Sequence, residues 1–395
     1  MRDMISSNTK RIEASPIRAV LDRAAALRAE GRKIVPFSAG EPDFNTPETI
    51  KQATMKAIEN NHSHYGSNRG LPALRKIMAK KIEAEFGVSY DPDWEIMITS
   101  SGAEALNNAI LTFVEPGDEV IIPIPAFVSY KNLVRFSGAT VKFVDLKPED
   151  GFQLDAAAIE AAVTEKTKMI ILNNPNNPSG AVYTRETLEK VAEVAIKHDL
   201  LVISDEMYNR LVYDGAEFIS MAAIPGMRER TVVLSGFSKS YAMTGWRLGF
   251  IAAPKALADY IIKVHQYSTT CSPTFIQQGL VDSLENPETE QAVVDMLAAF
   301  TRRREAILKG LAEIDGLPTV TPKGAFYVMV NTSALGLNGQ EFAMKLLEEF
   351  DVATVPAVGL GDNCVDYIRI SYATSDENIE VGLKKMKEFV ASLKK

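Results

Sequence analysis

The sequence predicts an α/β protein: a mostly parallel seven-stranded sheet between helices, with a smaller α/β part appended. Three observations carry this. Short apolar runs recur between residues 95 and 254, segments of helical periodicity separate most of them, and no repeat or low-complexity linker interrupts the alternation. The runs are EIMITS (95–100), EVIIPIP (119–125), VKFVDL (141–146), MIILNN (169–174), LVISDE (201–206), TVVLSGFS (231–238) and RLGFIAAP (247–254). Continuous rather than alternating hydrophobicity marks strands covered on both faces, as in parallel sheets.

Between the runs, Leu106, Ile110 and Phe113 share one helical face, as do Leu188, Val191 and Val194. The segment joining the last two runs is too short for a helical crossover, so one antiparallel strand is expected. Upstream, Thr46-Pro47 before ETIKQATMKAIEN reads as a hydroxyl cap with proline in the first turn. Downstream, Val293, Met296, Leu297, Phe300, Ile307 and Leu311 give a long helix over about 288–314. VTPKGAFYVMV (320–330) then reads as a hairpin-like piece, and Ile379, Leu383, Met386 and Val390 as one face of a closing helix. The expected division is a large domain over 46–287 and a small one formed by 1–45 with 288–395.

The 395 residues carry a formal charge of -8, the wrong sign for a nucleic-acid surface. Cys271 and Cys364 are far apart, and with only four histidines no zinc site is expected. MRDMISSNTKRIEAS lacks the apolar centre of a secretory signal, and no run reaches the ~20 apolar residues of a membrane helix. The chain is read as soluble and cytoplasmic.

In an open α/β sheet the ligand crevice lies beyond the carboxyl ends of the strands. Here those ends carry Ser101-Gly102-Ala103-Glu104-Ala105 leading into a helix, whose exposed N–H groups suit an anion. They also carry Asn177 in PNNPSG, Asp205 and Tyr208 in DEMY, and Lys239 and Arg247 in SKSYAMTGWRLG. Each has an ordinary alternative: Asp205 as a helix cap, Asn177 as a turn former, Tyr208 and Phe127 as packing aromatics, Arg369 as a surface ion pair. Together they suit a cofactor with a phosphate, a protonatable ring nitrogen and an imine-forming carbonyl.

The ordered set FSAGEPDF (37–44), NNPNNPSG, SDEMY, SKSYAMTGWRLG and YIRISYAT (367–374) resembles the fold-type I pyridoxal-phosphate aminotransferases of class I, in particular the prokaryotic aspartate aminotransferase group. The resemblance implies pyridoxal 5'-phosphate as cofactor and Lys239 as the residue that carries it and shuttles the proton. It implies Asp205 at the ring nitrogen, Tyr208 and Asn177 at the ring hydroxyl, and Phe127 stacked on the ring. Gly102, Ala103 and Glu104 through backbone, with Ser238 and Arg247, would hold the phosphate. Arg369 would grip the substrate α-carboxylate beside Gly40, and Tyr65 would reach the phosphate of a neighbouring subunit in a homodimer. The implied activity is ping-pong transfer of an amino group from an L-amino acid to a 2-oxo acid, with aspartate and 2-oxoglutarate first. Broad, aromatic or alanine-type transfer, a lyase on the same fold, and a binding protein without turnover are the alternatives. Two departures bear on substrate: Ala103 stands where some relatives have lysine, and HQYSTTCSP (265–273) offers no arginine.

Overall fold

The computed structural model describes residues 4–12 and 16–393. All seven expected runs are strands of one sheet: β1 (Ile96–Thr99), β2 (Glu119–Ile124), β3 (Thr140–Asp145), β4 (Thr167–Asn173), β5 (Leu201–Asp205), β6 (Thr231–Gly236) and β7 (Gly249–Ala252). Their order is β1-β7-β6-β5-β4-β2-β3. The β2, β3, β4, β5 and β6 pairings are parallel, and β7 runs antiparallel to both β6 and β1. The short link before β7 therefore has the expected consequence.

Successive strand residues enter opposite cores, as the period of two requires. Met169, Ile171 and Ile203 pack with Leu106, Ile110 and Tyr130 on one face. Ile170, Leu172 and Val202 pack with Leu188, Val191 and Ala195 on the other. Both faces are covered, so the runs have no polar side.

A second sheet has the order β8-β10-β9, with β8 (Tyr327–Asn331) and β9 (Val355–Pro356) antiparallel to β10 (Tyr367–Ser371). The hairpin-like piece expected at 320–330 is reduced to one antiparallel bridge rather than a ladder of its own. β8 takes β10 as its ladder partner, and Thr319 meets Val330 in an isolated bridge. The turn is used elsewhere: the N–H groups of Lys323 and Gly324 both donate to Gly180 O at 2.8 Å, docking it on the loop after β4. The long helix spans Pro287–Ala312 and the closing helix Asp376–Leu393.

Thr46 does not cap the helix Glu48–Glu59. Pro47 holds the cap position in an extended conformation, and the Thr46 hydroxyl donates to Ala242 O at 2.8 Å instead. This ties the N-terminal segment to the stretch after Lys239. The helix Pro16–Ala29 buries Val20, Ala24 and Leu27 against Leu347 and Ala353. Val35 N donates to Asp351 O at 2.8 Å and Ser371 N to Phe37 O at 2.7 Å, binding the segment to the smaller sheet. Among the described residues, no helix is long and apolar enough to cross a membrane.

Candidate active site

A cavity of about 510 Å³ opens at the carboxyl ends of β1, β4, β5 and β6. It gathers Gly40, Gly102, Ala103, Phe127, Asn177, Asp205, Tyr208, Ser238, Lys239, Arg247 and Arg369. Two predicted residues lie elsewhere. Tyr65 stands in the loop before the helix Pro72–Phe86, 87% exposed and outside its own chain's cavity. Glu104 does not border the cavity either. Its carboxylate turns into a polar cluster, accepting from Asn108 Nδ2 at 2.8 Å and Thr269 Oγ1 at 3.1 Å and pairing with His265 Nδ1 at 2.7 Å. Its N–H faces Ser101 Oγ at 3.5 Å. Burial pushes this carboxyl up, but His265 and the Ser100 N–H outweigh burial and hold it below the usual range.

The turn between β1 and the helix Gly102–Phe113 is shaped by Ser101, a buried non-glycine residue at φ +97°. The opposing strand leaves it little room: a Cβ on Gly249 would lie 2.7 Å from Gly102 N and 2.7 Å from Ser101 C. Arg247, at φ +56°, is exposed and donates from Nη1 to Thr244 O at 2.8 Å. It borders the same cavity as the Ser101–Gly102 turn, so two residues with positive φ stand at the anion-friendly end.

Asp205 closes β5. Its Oδ2 accepts from Tyr130 OH at 2.7 Å and its Oδ1 from Met207 N at 3.2 Å. Burial raises its pKa, while those two bonds and the nearby Lys239 charge oppose the rise. Lys239 Nζ donates to Gly40 O at 2.6 Å. Burial lowers its pKa to about 8, with Arg369 and Arg247 adding repulsion and Glu41 and Asp205 pulling the other way. An amine in this range is available as nucleophile and base near neutral pH. Tyr208, held neutral by burial and by Tyr327, accepts from Asn177 Nδ2 at 3.4 Å and shares a 3.1 Å hydroxyl contact with Tyr327.

Arg369 is buried on β10, its guanidinium 4.3 Å from the Tyr327 ring centroid. Nη1 donates to Asn177 Oδ1 at 3.1 Å and Nη2 to Ser38 O at 3.3 Å, while the buried Nε has no hydrogen-bond partner. A buried guanidinium N–H left in this way is set to receive an anion.

Sequence reasoning missed Tyr130, Tyr327 and Ser38. Tyr130 had a signal, since it lies three residues after Phe127 at helical spacing and their rings meet edge to face, centroids 5.7 Å apart. Tyr327 had none, because it arrives from the second sheet. Also missed were Ile17, Arg18 and Leu21 of the helix Pro16–Ala29, which border the cavity. Among the described residues, no group of three or more His, Cys, Asp or Glu side chains is placed to hold a metal ion.

The "Aminotransferase class I and II" family model matches residues 32–386. The chain is 40% identical to an aspartate aminotransferase of Pyrococcus abyssi over 97% of both proteins. It is also 40% identical to aromatic-amino-acid aminotransferase 2 of Thermococcus litoralis, over 99% of both. The structure of the Thermus thermophilus aspartate aminotransferase with maleate superposes with a TM-score of 0.93 at 38% identity, covering 98% of this chain and 100% of that one. A lysine, carboxylate, phenol and two guanidinium groups around one cavity, on a chain matched along almost its whole length, lead to one conclusion: this chain belongs to the class I and II aminotransferases and is a pyridoxal-phosphate-dependent, aspartate aminotransferase-like enzyme of fold type I.

Proposed function

We propose that the enzyme moves an amino group from an L-amino acid to a 2-oxo acid by a ping-pong mechanism, with aspartate and 2-oxoglutarate as its favoured pair. The observation that carries this reading is the Lys239 amine, lowered to about 8 in a cavity shared with Asp205 and Arg369. The residues present fit pyridoxal phosphate on their own chemistry: an anion-binding turn in the same cavity as an exposed guanidinium, a half-buried carboxylate and a depressed amine. Arg247, Ser238 and the N–H groups of Gly102 and Ala103 would hold the phosphate. Asp205, supported by Tyr130, would hold the ring nitrogen, Phe127 would cover the ring, and Tyr208 with Asn177 would bind the ring hydroxyl. When bound, the cofactor supplies an electrophilic carbonyl and a pyridinium ring that draws off the charge left by proton removal.

The chain does the rest. Arg369 grips the substrate α-carboxylate and, with Gly40 beside it, orients the Cα–H bond toward Lys239. Lys239 Nζ takes that proton and returns it. Asp205 stays ionised opposite the ring nitrogen and keeps a proton there. Residues 46–287 would serve as the large domain and 1–45 with 288–395 as the small one. A homodimer in which Tyr65 serves the neighbouring site completes the proposal, the exposed phenol being its support.

The test is a titration of the purified, cofactor-loaded protein with aspartate, followed by absorbance. Aspartate alone should convert the visible band, and 2-oxoglutarate should restore it. Conversion by aromatic amino acids or alanine but not by aspartate would overturn the substrate pair and leave amino transfer standing. Ammonia release without any oxo acid would replace transfer with lyase chemistry.

A further inference from the structure

Four cationic side chains border the cavity: Arg18, Lys239, Arg247 and Arg369. Three have work within the site. Lys239 donates to Gly40 O, Arg247 to Thr244 O, and Arg369 to Asn177 and Ser38 beneath its stacked tyrosine. Arg18 differs. Its Nε lies 3.5 Å from Asp22 Oδ1, one turn along the same helix, with side chains 78% and 69% exposed. An ion pair this exposed is worth little, and a better-placed carboxylate displaces it easily.

The helix carrying Arg18 is itself well anchored. Val20, Ala24 and Leu27 are buried against Leu347 and Ala353. Arg23 meets Glu348 through two bonds, Nε to Oε1 at 2.5 Å and Nη2 to Oε2 at 2.9 Å. The backbone at Arg18 is thereby set at the cavity while the side chain stays free to turn. Ile17 and Leu21 flank it in sequence, and Leu106 and Leu360 border the same cavity.

A dicarboxylate substrate brings a second negative charge that Arg369 does not match. The turn at Ala103 has no lysine for it, the 265–273 segment has no arginine, and His265 of that segment is buried against Glu104. We propose that Arg18 is the specificity-determining cation of this enzyme, leaving Asp22 to bind the distal carboxylate of a four- or five-carbon dicarboxylic substrate. The assignment rests on the aspartate reading above and names the residue that reading lacked. A guanidinium suits the task, because its planar fork meets a carboxylate through two parallel bonds.

The test is calorimetric titration of the pyridoxal-phosphate-loaded protein with two unreactive acids: maleate, which has two carboxylates, and 3-phenylpropionate, which has one. Arg18→Ala should lower the maleate-to-phenylpropionate affinity ratio roughly tenfold to a hundredfold, the range for a lost charge-assisted pair. Arg18→Lys should restore part of it, and Asp22→Asn should hold or raise it by removing the competitor. Wild-type protein that prefers maleate, with an unchanged ratio in Arg18→Ala, overturns the Arg18 assignment alone. Wild-type protein that binds phenylpropionate and not maleate overturns the aspartate reading, and this assignment with it. Circular dichroism of each variant separates loss of the helix from loss of the charge.

Discussion

The cavity has two unlike walls. The wall at the sheet ends carries buried Asn177 and Tyr208 and half-buried Asp205, each held by at least one hydrogen bond. The wall from the N-terminal helix carries Ile17, Arg18 and Leu21, more open to solvent, with Arg18 in a loose surface pair. The first is rigid because the hydrogen bonds of these three side chains fix their positions. The second is adaptable because its side chains keep their rotamers. Chemistry common to all amino acids suits the rigid wall, and recognition of what differs between them suits the adaptable one.

This contrast breaks most sharply at Lys239. Lys239→Ala should abolish turnover while the protein still binds cofactor, seen as a retained absorbance after dialysis; an active alanine variant would end the assignment. Asp205→Asn comes next, with kcat expected to fall about a hundredfold to a thousandfold, the scale for losing one preorganised electrostatic partner. Wild-type kcat in that variant would mean the carboxylate does not serve the ring nitrogen. Arg369→Ala should raise KM about a hundredfold for dicarboxylic and aromatic amino acids alike, because both present the same α-carboxylate. A loss confined to one substrate class would erase the distinction between the walls.

The smallest effect concerns stability and carries a sign. In the cofactor-free protein burial lowers Lys239 from its ordinary 10.5 to about 8. Between these values the unfolded chain holds the extra proton, so stability rises with pH across roughly 8 to 10.5. Below about 8 the buried ammonium carries its full cost, about 3 kcal/mol for a shift of this size. Lys239→Met should therefore be more stable than the parent at pH 7, and the gap should close by about pH 10.5. Urea melts at several pH values would show it; a constant gap would place the amine in water.

The sequence revealed strands wherever both faces are covered, since an apolar run such as MIILNN or LVIS can belong only to a buried strand. Residues just after those runs were legible for the same reason: a polar group beside so much apolar surface needs a purpose. Thr46 was misread, and VTPKGAFYVMV only partly read, because their partners, Ala242 and Gly180, are distant in sequence. Glu104 was expected at the phosphate through its backbone; its N–H instead faces Ser101 Oγ inside the turn, a local cap that the sequence does not distinguish from an N–H turned to a ligand. Arg18 was overlooked because a charge on an amphipathic helix ordinarily faces water, and only tertiary packing brings it to the site.

Gly249 sits opposite the Ser101–Gly102 turn with no space for a methyl group. Its neighbours on β7 are Leu248 and Phe250. A slip of one residue in the pairing of β7 would set one of those side chains against the turn and exchange the strand's two faces. The width of the anion-binding end is thus measured by the register of a single antiparallel strand, and a correctly paired β7 is a condition for any phosphate to bind at all.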